Sequence, residues 1–105
     1  MLSRKRASSR PMATLPLVRS LRTLSRTVLM LQTELRHGRV DEGLIADIEA
    51  QMEQGIGLDT RCAGLPPLVD ALRESTLTPR PELLSDTIRA CEKLRDAIEG
   101  LVSRL

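Results

Sequence analysis

The residues best suited to chemistry in this chain are one histidine and two cysteines. Cys62 and Cys91 form no CxxC motif, and His37 is the only imidazole that either could use. A thiolate nucleophile needs a base beside it, and a zinc site needs several such ligands at close spacing. We interpret His37 as a solvated side chain at a helix end and both cysteines as small core residues. A disulfide between them is the alternative in an oxidising compartment.

Acidic pairs and a glycine pair do not indicate an active site either. Neighbouring acids occur at Asp41 and Glu42, at Asp47 and Glu49, and at Asp96 and Glu99. All of these fall at exposed positions of predicted helices, where such charges usually form ordinary surface pairs. The GxG at residues 55–57 follows a helix instead of a strand and has no nearby lysine, so it predicts a turn. We therefore expect no enzyme and no cofactor or metal site.

The N-terminal third of the chain is strongly basic. The formal net charge is +2, yet residues 1–33 contain seven cations and no acid, so the remainder balances at −5. Such a stretch can neutralise nucleic-acid phosphates without reading their sequence. The candidate phosphate-binding residues are Arg4, Lys5, Arg6, Arg10, Arg19, Arg22 and Arg26.

Two other interpretations of this basic stretch stay open. Its Arg-rich, Ser-rich and acid-free composition is typical of a mitochondrial targeting segment, which would make the protein an imported matrix subunit. We predict that residues 1–14 are a flexible basic arm. In the other interpretation this arm is only a solubilising tail, and the later arginines form the solvated face of a core helix. The amino terminus has no long apolar stretch, so the location expected by default is the cytoplasm.

Two leucine-rich stripes predict two long helices. In the first, Pro16 can serve as a first-turn proline and Gly38 is a natural stop. Its apolar residues recur at alternating spacings of four and three: Leu17, Leu21, Leu24, Val28, Leu31 and Leu35. This is a heptad seam, and three arginines fall on the opposite side of the helix. The second follows the proline-rich segment 77–81, with its stripe at Leu84, Thr87, Cys91, Leu94, Ile98, Leu101 and Leu105.

Shorter segments lie between these two helices. One helix is expected to start near Asp41 and to end at Gly55, and another of about two turns is introduced by Pro66. The chain has no Phe, Tyr or Trp, so its core must be built mainly from leucine, which favours helices over strands. We predict an all-α fold, a small bundle or hairpin of about four helices in residues 15–105. The longest apolar run, Val28 to Leu31, is far too short to span a membrane.

The predicted function is a non-enzymatic protein–protein interaction module, such as an adaptor, chaperone, assembly factor or regulatory subunit. The two stripes are longer than the short helices can cover, so a partner helix, from a second copy or another protein, is expected to pack on them. A nucleic-acid-associated protein is the alternative. The predicted partner-binding residues, any of which could instead be plain core, are Leu21, Leu24, Val28, Leu31, Leu94, Ile98 and Leu101.

Overall fold

The computed structural model describes residues 13–105, which form four α-helices and no strand. These are α1 (Thr14–Arg36), α2 (Glu42–Glu53), α3 (Leu65–Ser75) and α4 (Leu83–Arg104). Two 3-10 turns, Ile56–Leu58 and Thr60–Cys62, connect α2 to α3. The prediction of an all-α bundle with two long and two short helices is confirmed.

Two boundaries differ from the sequence-based expectation. Helix α1 already begins at Thr14, within the predicted arm, and Pro16 lies in its first turn, where a backbone N–H would have no partner. The rest of that arm, residues 1–12, lies outside the described residues. Helix α3 has 11 residues, three turns instead of two. It begins at Leu65, with Pro66 in its first turn, and ends at Ser75.

The helix ends are set by local chemistry. At the end of α1, Gly38 adopts φ +82, its N–H donates to Leu35, and the N–H of Arg39 donates to Glu34. This is a Schellman motif, which favours glycine because other residues are strained at positive φ. At the start of α2, the Asp41 carboxylate accepts a hydrogen bond from the N–H of Leu44 at 3.1 Å. These two caps make the turn between α1 and α2 sharp.

The two long helices are antiparallel. Arg36 of α1 lies 3.9 Å from Glu92 of α4, and the Gln32 amide oxygen accepts a hydrogen bond from Arg95 at 3.5 Å. Nearer the start of α1, Ser25 lines the same recess as residue 102. The two helices therefore run in opposite directions, and the heptad seam of α1 faces the apolar stripe of α4.

Polar side-chain contacts link each pair of consecutive helices. The Gln51 amide donates to Thr27 at 2.8 Å between α2 and α1, and Arg73 of α3 contacts the Glu49 carboxylate of α2 at 2.8 Å. The hydroxyls of Ser75 and the buried Thr87 lie 2.8 Å apart between α3 and α4. Consecutive helices therefore pack side by side and α4 returns to α1, as in an up-down-up-down bundle.

The 3-10 turns cover the part of α1 that α2 is too short to reach. Ile56 is 2% exposed and lies beside Ser20 and Thr23, and the guanidinium of Arg61 lies 3.4 Å from the hydroxyl of Thr14. Because of these turns, the core runs from Leu17 to the end of α4 without a gap in the α1 seam. No helix among residues 13–105 is both long and apolar enough to cross a bilayer.

Candidate interaction site

The predicted partner-binding residues all lie in the core of the bundle. Leu101 is 9% exposed. None of the others exceeds 1% exposure: Leu21, Leu24, Val28, Leu31, Leu94 and Ile98. The α1 seam is closed by α4 on one side and by α2 and the 3-10 turns on the other. Helix lengths alone predict an uncovered part of the seam, but the 3-10 turns cover the part that α2 does not reach. While the bundle is closed, a partner cannot reach these side chains.

The predicted phosphate-binding residues divide into two groups. Arg19, Arg22 and Arg26 are exposed on the outer face of α1 and make no ion pair with any other residue in the range 13–105. Leu15 and Leu29, which are 61% and 45% exposed, flank them along the same helix face. The other group, Arg4, Lys5, Arg6 and Arg10, lies outside the described residues.

The α2–α3 side of the molecule has the opposite charge. Residues 41–75 contain eight acidic and two basic side chains, a net charge of −6. One of the two bases, Arg73, is occupied by Glu42 at 2.7 Å and Glu49 at 2.8 Å. The other, Arg61, forms an ion pair with the buried Asp59 at 2.8 Å. The remaining carboxylates give this side a negative potential that attracts cations.

A groove of about 410 Å³ opens on this acidic side, where the end of α2 meets the start of α3. We call it the acidic groove, and it is lined by Met52, Glu53, Leu58, Pro66, Val69 and Asp70. Met52 and Val69, at 7% and 6% exposure, form an apolar base, whereas Leu58 is 83% exposed at its edge. Glu53 and Asp70 are exposed on the rim and form no ion pair with any described residue.

Local backbone features give the acidic groove its shape. Gly55 ends α2 at φ 138, a conformation that other residues rarely adopt, and this turn carries Leu58 out over the groove. Across the groove, Pro66 lies in the first turn of α3. Arg73 ties α3 to α2 and, through its hydrogen bond to Glu49, lowers the pKa of that carboxyl below 4.5. The same contact holds α3 against α2 on the side where the groove opens.

The histidine and cysteines do not form a reactive group. Burial raises the pKa of the Cys62 thiol above 9.0 and raises the pKa of the Cys91 thiol to about 12, so neither forms a thiolate readily near neutral pH. His37 is exposed at the end of α1, with its Nδ1 atom 2.9 Å from the Thr33 carbonyl oxygen. In residues 13–105, no three His, Cys, Asp or Glu side chains cluster as metal ligands would.

The acidic groove is not predicted from the sequence, because its lining comes from α2, the 3-10 turns and α3. One feature of the sequence does indicate an exposed apolar side chain: Leu58 lies between Gly57 and Asp59 in a loop and belongs to no helical stripe. Comparisons with protein-family models, with curated proteins and with solved structures found no match for this chain.

Proposed function

We propose that this chain is a non-enzymatic protein–protein interaction module of the adaptor, chaperone, assembly or regulatory kind. Its working surface in this proposal is the acidic groove, and its partner is a cationic amphipathic segment of another protein. The observation that carries the proposal is the combination of an apolar base with rim carboxylates that form no ion pair within residues 13–105. Apolar side chains of the partner would fill the groove while its lysines or arginines meet Glu53 and Asp70.

The dimensions and charge of the groove suit a peptide. A volume of about 410 Å³ is within the range of small-molecule pockets, enough for a few apolar side chains of a partner helix. Leu58, at 83% exposure, would gain most by being covered, since burying a leucine side chain contributes about 2 kcal/mol. The net charge of −6 on residues 41–75 would steer a cationic segment towards this side and away from the basic face of α1.

Binding can be tested with a short synthetic Leu/Lys amphipathic helix that carries one tryptophan. Since the chain contains no Phe, Tyr or Trp, the probe would be the only source of aromatic fluorescence in the titration. We expect a blue-shifted, saturable signal with wild-type protein. The double variant Glu53→Lys and Asp70→Lys should bind at least tenfold more weakly, because both rim charges change sign.

A matched control separates groove binding from general attraction to an acidic protein. Glu82→Lys with Asp96→Lys makes the same change in net charge at exposed positions that do not line the groove. This control should bind the probe nearly as well as the wild type. Equal weakening in both double variants would refute the groove as the binding site, and so would the absence of a saturable signal.

Nucleic-acid association is a second candidate, favoured by the arginine stripe on α1. Three exposed arginines at spacings of three and four face solvent without partners among the described residues. If each contacts a phosphate, changing Arg19, Arg22 and Arg26 to Gln should reduce the slope of log K against log salt by about 3 for duplex DNA. The control, with Arg89, Lys93 and Arg104 changed to Gln, removes equal charge from α4. Identical slopes for both variants would rule out this role.

We also propose a cytoplasmic location, with the mitochondrial matrix as the alternative. Cys62 and Cys91 are both free and buried, as is typical of proteins in reducing compartments. A targeting segment extending through residue 33 would include most of α1, whose seam is part of the core. Any cleavage that leaves this bundle intact would have to fall before Leu17. Amino-terminal sequencing of the protein purified from its native source would test this directly.

A further inference from the structure

We infer that the acidic groove binds the outer face of α1 of a second copy of this chain, so that the protein associates with itself head to tail. This inference rests on the proposed function of the groove and names one partner for it. The cationic amphipathic segment that the groove is proposed to bind is already present on the chain. It is the basic face of α1, which consists of Leu15, Arg19, Arg22, Arg26 and Leu29.

The residues of the basic face lie on one side of α1 and remain exposed. They recur at spacings of four, three, four and three, which keeps them on a common side of a helix. The leucines at the two ends are 61% and 45% exposed. The arginines between them are exposed and form no ion pair with any other residue in the range 13–105. The basic face therefore offers both the apolar side chains and the cations that the groove is proposed to take.

The two surfaces have opposite charges. Residues 13–33 contain three arginines and no acid, whereas residues 41–75 carry a net charge of −6. Guanidinium groups form paired hydrogen bonds to carboxylates, so the arginines of one copy suit Glu53 and Asp70 of another. A leucine of the basic face would then lie on the apolar base of the groove. The whole chain has a net charge of only +2, so little overall repulsion opposes the approach of two copies.

The positions of the two surfaces make the association head to tail. In the up-down-up-down arrangement α1 and α3 lie at opposite corners of the bundle, and the groove lies between α2 and α3. The basic face points outward from the corner that α1 occupies. One molecule can therefore bind a second copy through its groove and a third through its basic face. Such heterologous contacts continue from copy to copy unless their geometry closes a ring.

The limited contact area makes this association weak. The basic face is about 21 Å long, because its fourteen helical steps rise about 1.5 Å each. A strip of that length and about 10 Å wide is smaller than the roughly 800 Å² that each partner buries in a stable complex. We therefore expect a Kd on the order of 0.1 mM. The protein would then be monomeric at the micromolar concentrations at which unfolding and probe binding are measured.

The test measures the mass of the full chain in solution. Analytical ultracentrifugation with interference optics is suitable for a protein without aromatic residues. We expect the average mass to rise between about 10 μM and about 1 mM protein. In about 1 M salt it should return to the monomer value, because the Debye length falls to about 3 Å. Glu53→Lys with Asp70→Lys, or Arg22→Glu with Arg26→Glu, should each weaken association at least tenfold.

Matched controls and a charge exchange separate specific docking from general attraction. Glu82→Lys with Asp96→Lys, and Lys93→Glu with Arg104→Glu, make the same changes in net charge at exposed positions of the α4 side. Both control proteins should associate as the wild type does. A chain that combines the groove reversal with the basic-face reversal keeps the net charge of +2 but exchanges the two surface charges. It should regain association that neither reversal has alone, and far-UV circular dichroism shows that each bundle is intact.

Four results would overturn the inference. The first is a wild-type mass that stays at the monomer value at about 1 mM protein. The second is equal weakening in the reversals and their controls, and the third is no recovery in the charge-exchanged chain. The fourth is a mass that levels off at the dimer, which would indicate a closed contact instead of a head-to-tail one. The Leu/Lys probe tests the groove separately: if the probe binds as proposed while the protein stays monomeric, only this inference fails.

Discussion

Replacing Leu24 with Ala tests whether the α1 seam is satisfied within one chain. Leu24 is fully buried between α1 and its neighbours, and it belongs to the heptad pattern that also suits intermolecular coiled coils. Leu29→Ala is the matched control, because it makes the same chemical change on the same helix at a side chain that is 45% exposed. The two variants thus differ in burial and not in the group removed.

The expected magnitudes follow from that difference. Removing a fully buried leucine side chain costs about 3 kcal/mol, since the lost transfer energy is accompanied by a cavity that the neighbours fill only partly. A domain of this size is stabilised by about 5 to 15 kcal/mol, so the loss would be large but would not unfold the protein. At the partly exposed control position we expect a loss below about 1 kcal/mol.

Urea denaturation followed by far-UV circular dichroism measures both variants. Intrinsic fluorescence is unsuitable because the chain lacks aromatic residues. With a urea dependence of about 1.5 kcal/mol per molar, Leu24→Ala should lower the midpoint by about 2 M. Each protein is measured at two concentrations tenfold apart. For a folded monomer the two midpoints agree. For a dimer held by the seam, the apparent free energy of unfolding would be about 1.4 kcal/mol higher at the tenfold higher concentration.

Either of two results would refute this account of the core. A loss of less than 1 kcal/mol in Leu24→Ala would mean that the site is less densely packed than its burial indicates. A concentration-dependent midpoint that becomes independent of concentration in Leu24→Ala would mean that the seam pairs between chains. In that case the predicted partner-binding residues would regain their proposed role.

Three further predictions concern single residues. Arg73→Met removes the α2–α3 ion pairs and should cost about 1 kcal/mol at neutral pH. Because Arg73 lowers the pKa of Glu49, this stabilisation is complete above pH 4.5 and is lost as the pH falls through the folded-state pKa, so urea midpoints of the variant and wild type should converge in acid. Gly38→Ala should lower the free energy of unfolding by about 1 kcal/mol in thermal melts, since φ at this position is +82. Gly64→Ala is the control: its φ is −79 and the space beside it is open, so the change should be neutral or slightly stabilising. Equal effects of the two substitutions would contradict the Schellman assignment. The Cys91 thiol, with its pKa raised to about 12 by burial, should react with a disulfide reagent only as fast as the bundle opens, and rapid labelling without urea would show that the core around it is open.

Periodicity was enough to predict the helices and the core. The 3–4 spacing from Leu17 to Leu35 predicted α1, and each of its six apolar positions is at most 1% exposed. Local chemistry likewise predicted the breaks, since Gly38 and Asp41 act through their own backbone and nearest neighbours. Such signals are readable because helix formation and capping depend on residues within a few positions of one another. The extent of α3 was underestimated, because its last turn is supported by Ser75 contacting Thr87 of α4.

The amino-acid sequence alone therefore determined the fold class, the positions of the helices and the separation of a basic N-terminal third from an acidic remainder. Tertiary structure decided which apolar faces stay exposed. That outcome depends on contacts between distant residues, as when the loop carrying Ile56 and Arg61 packs on the start of α1 and closes the seam. The same loop leaves Leu58 uncovered between Glu53 and Asp70. No local pattern encodes such a groove, because its walls come from α2, the 3-10 turns and α3, and only packing brings them together.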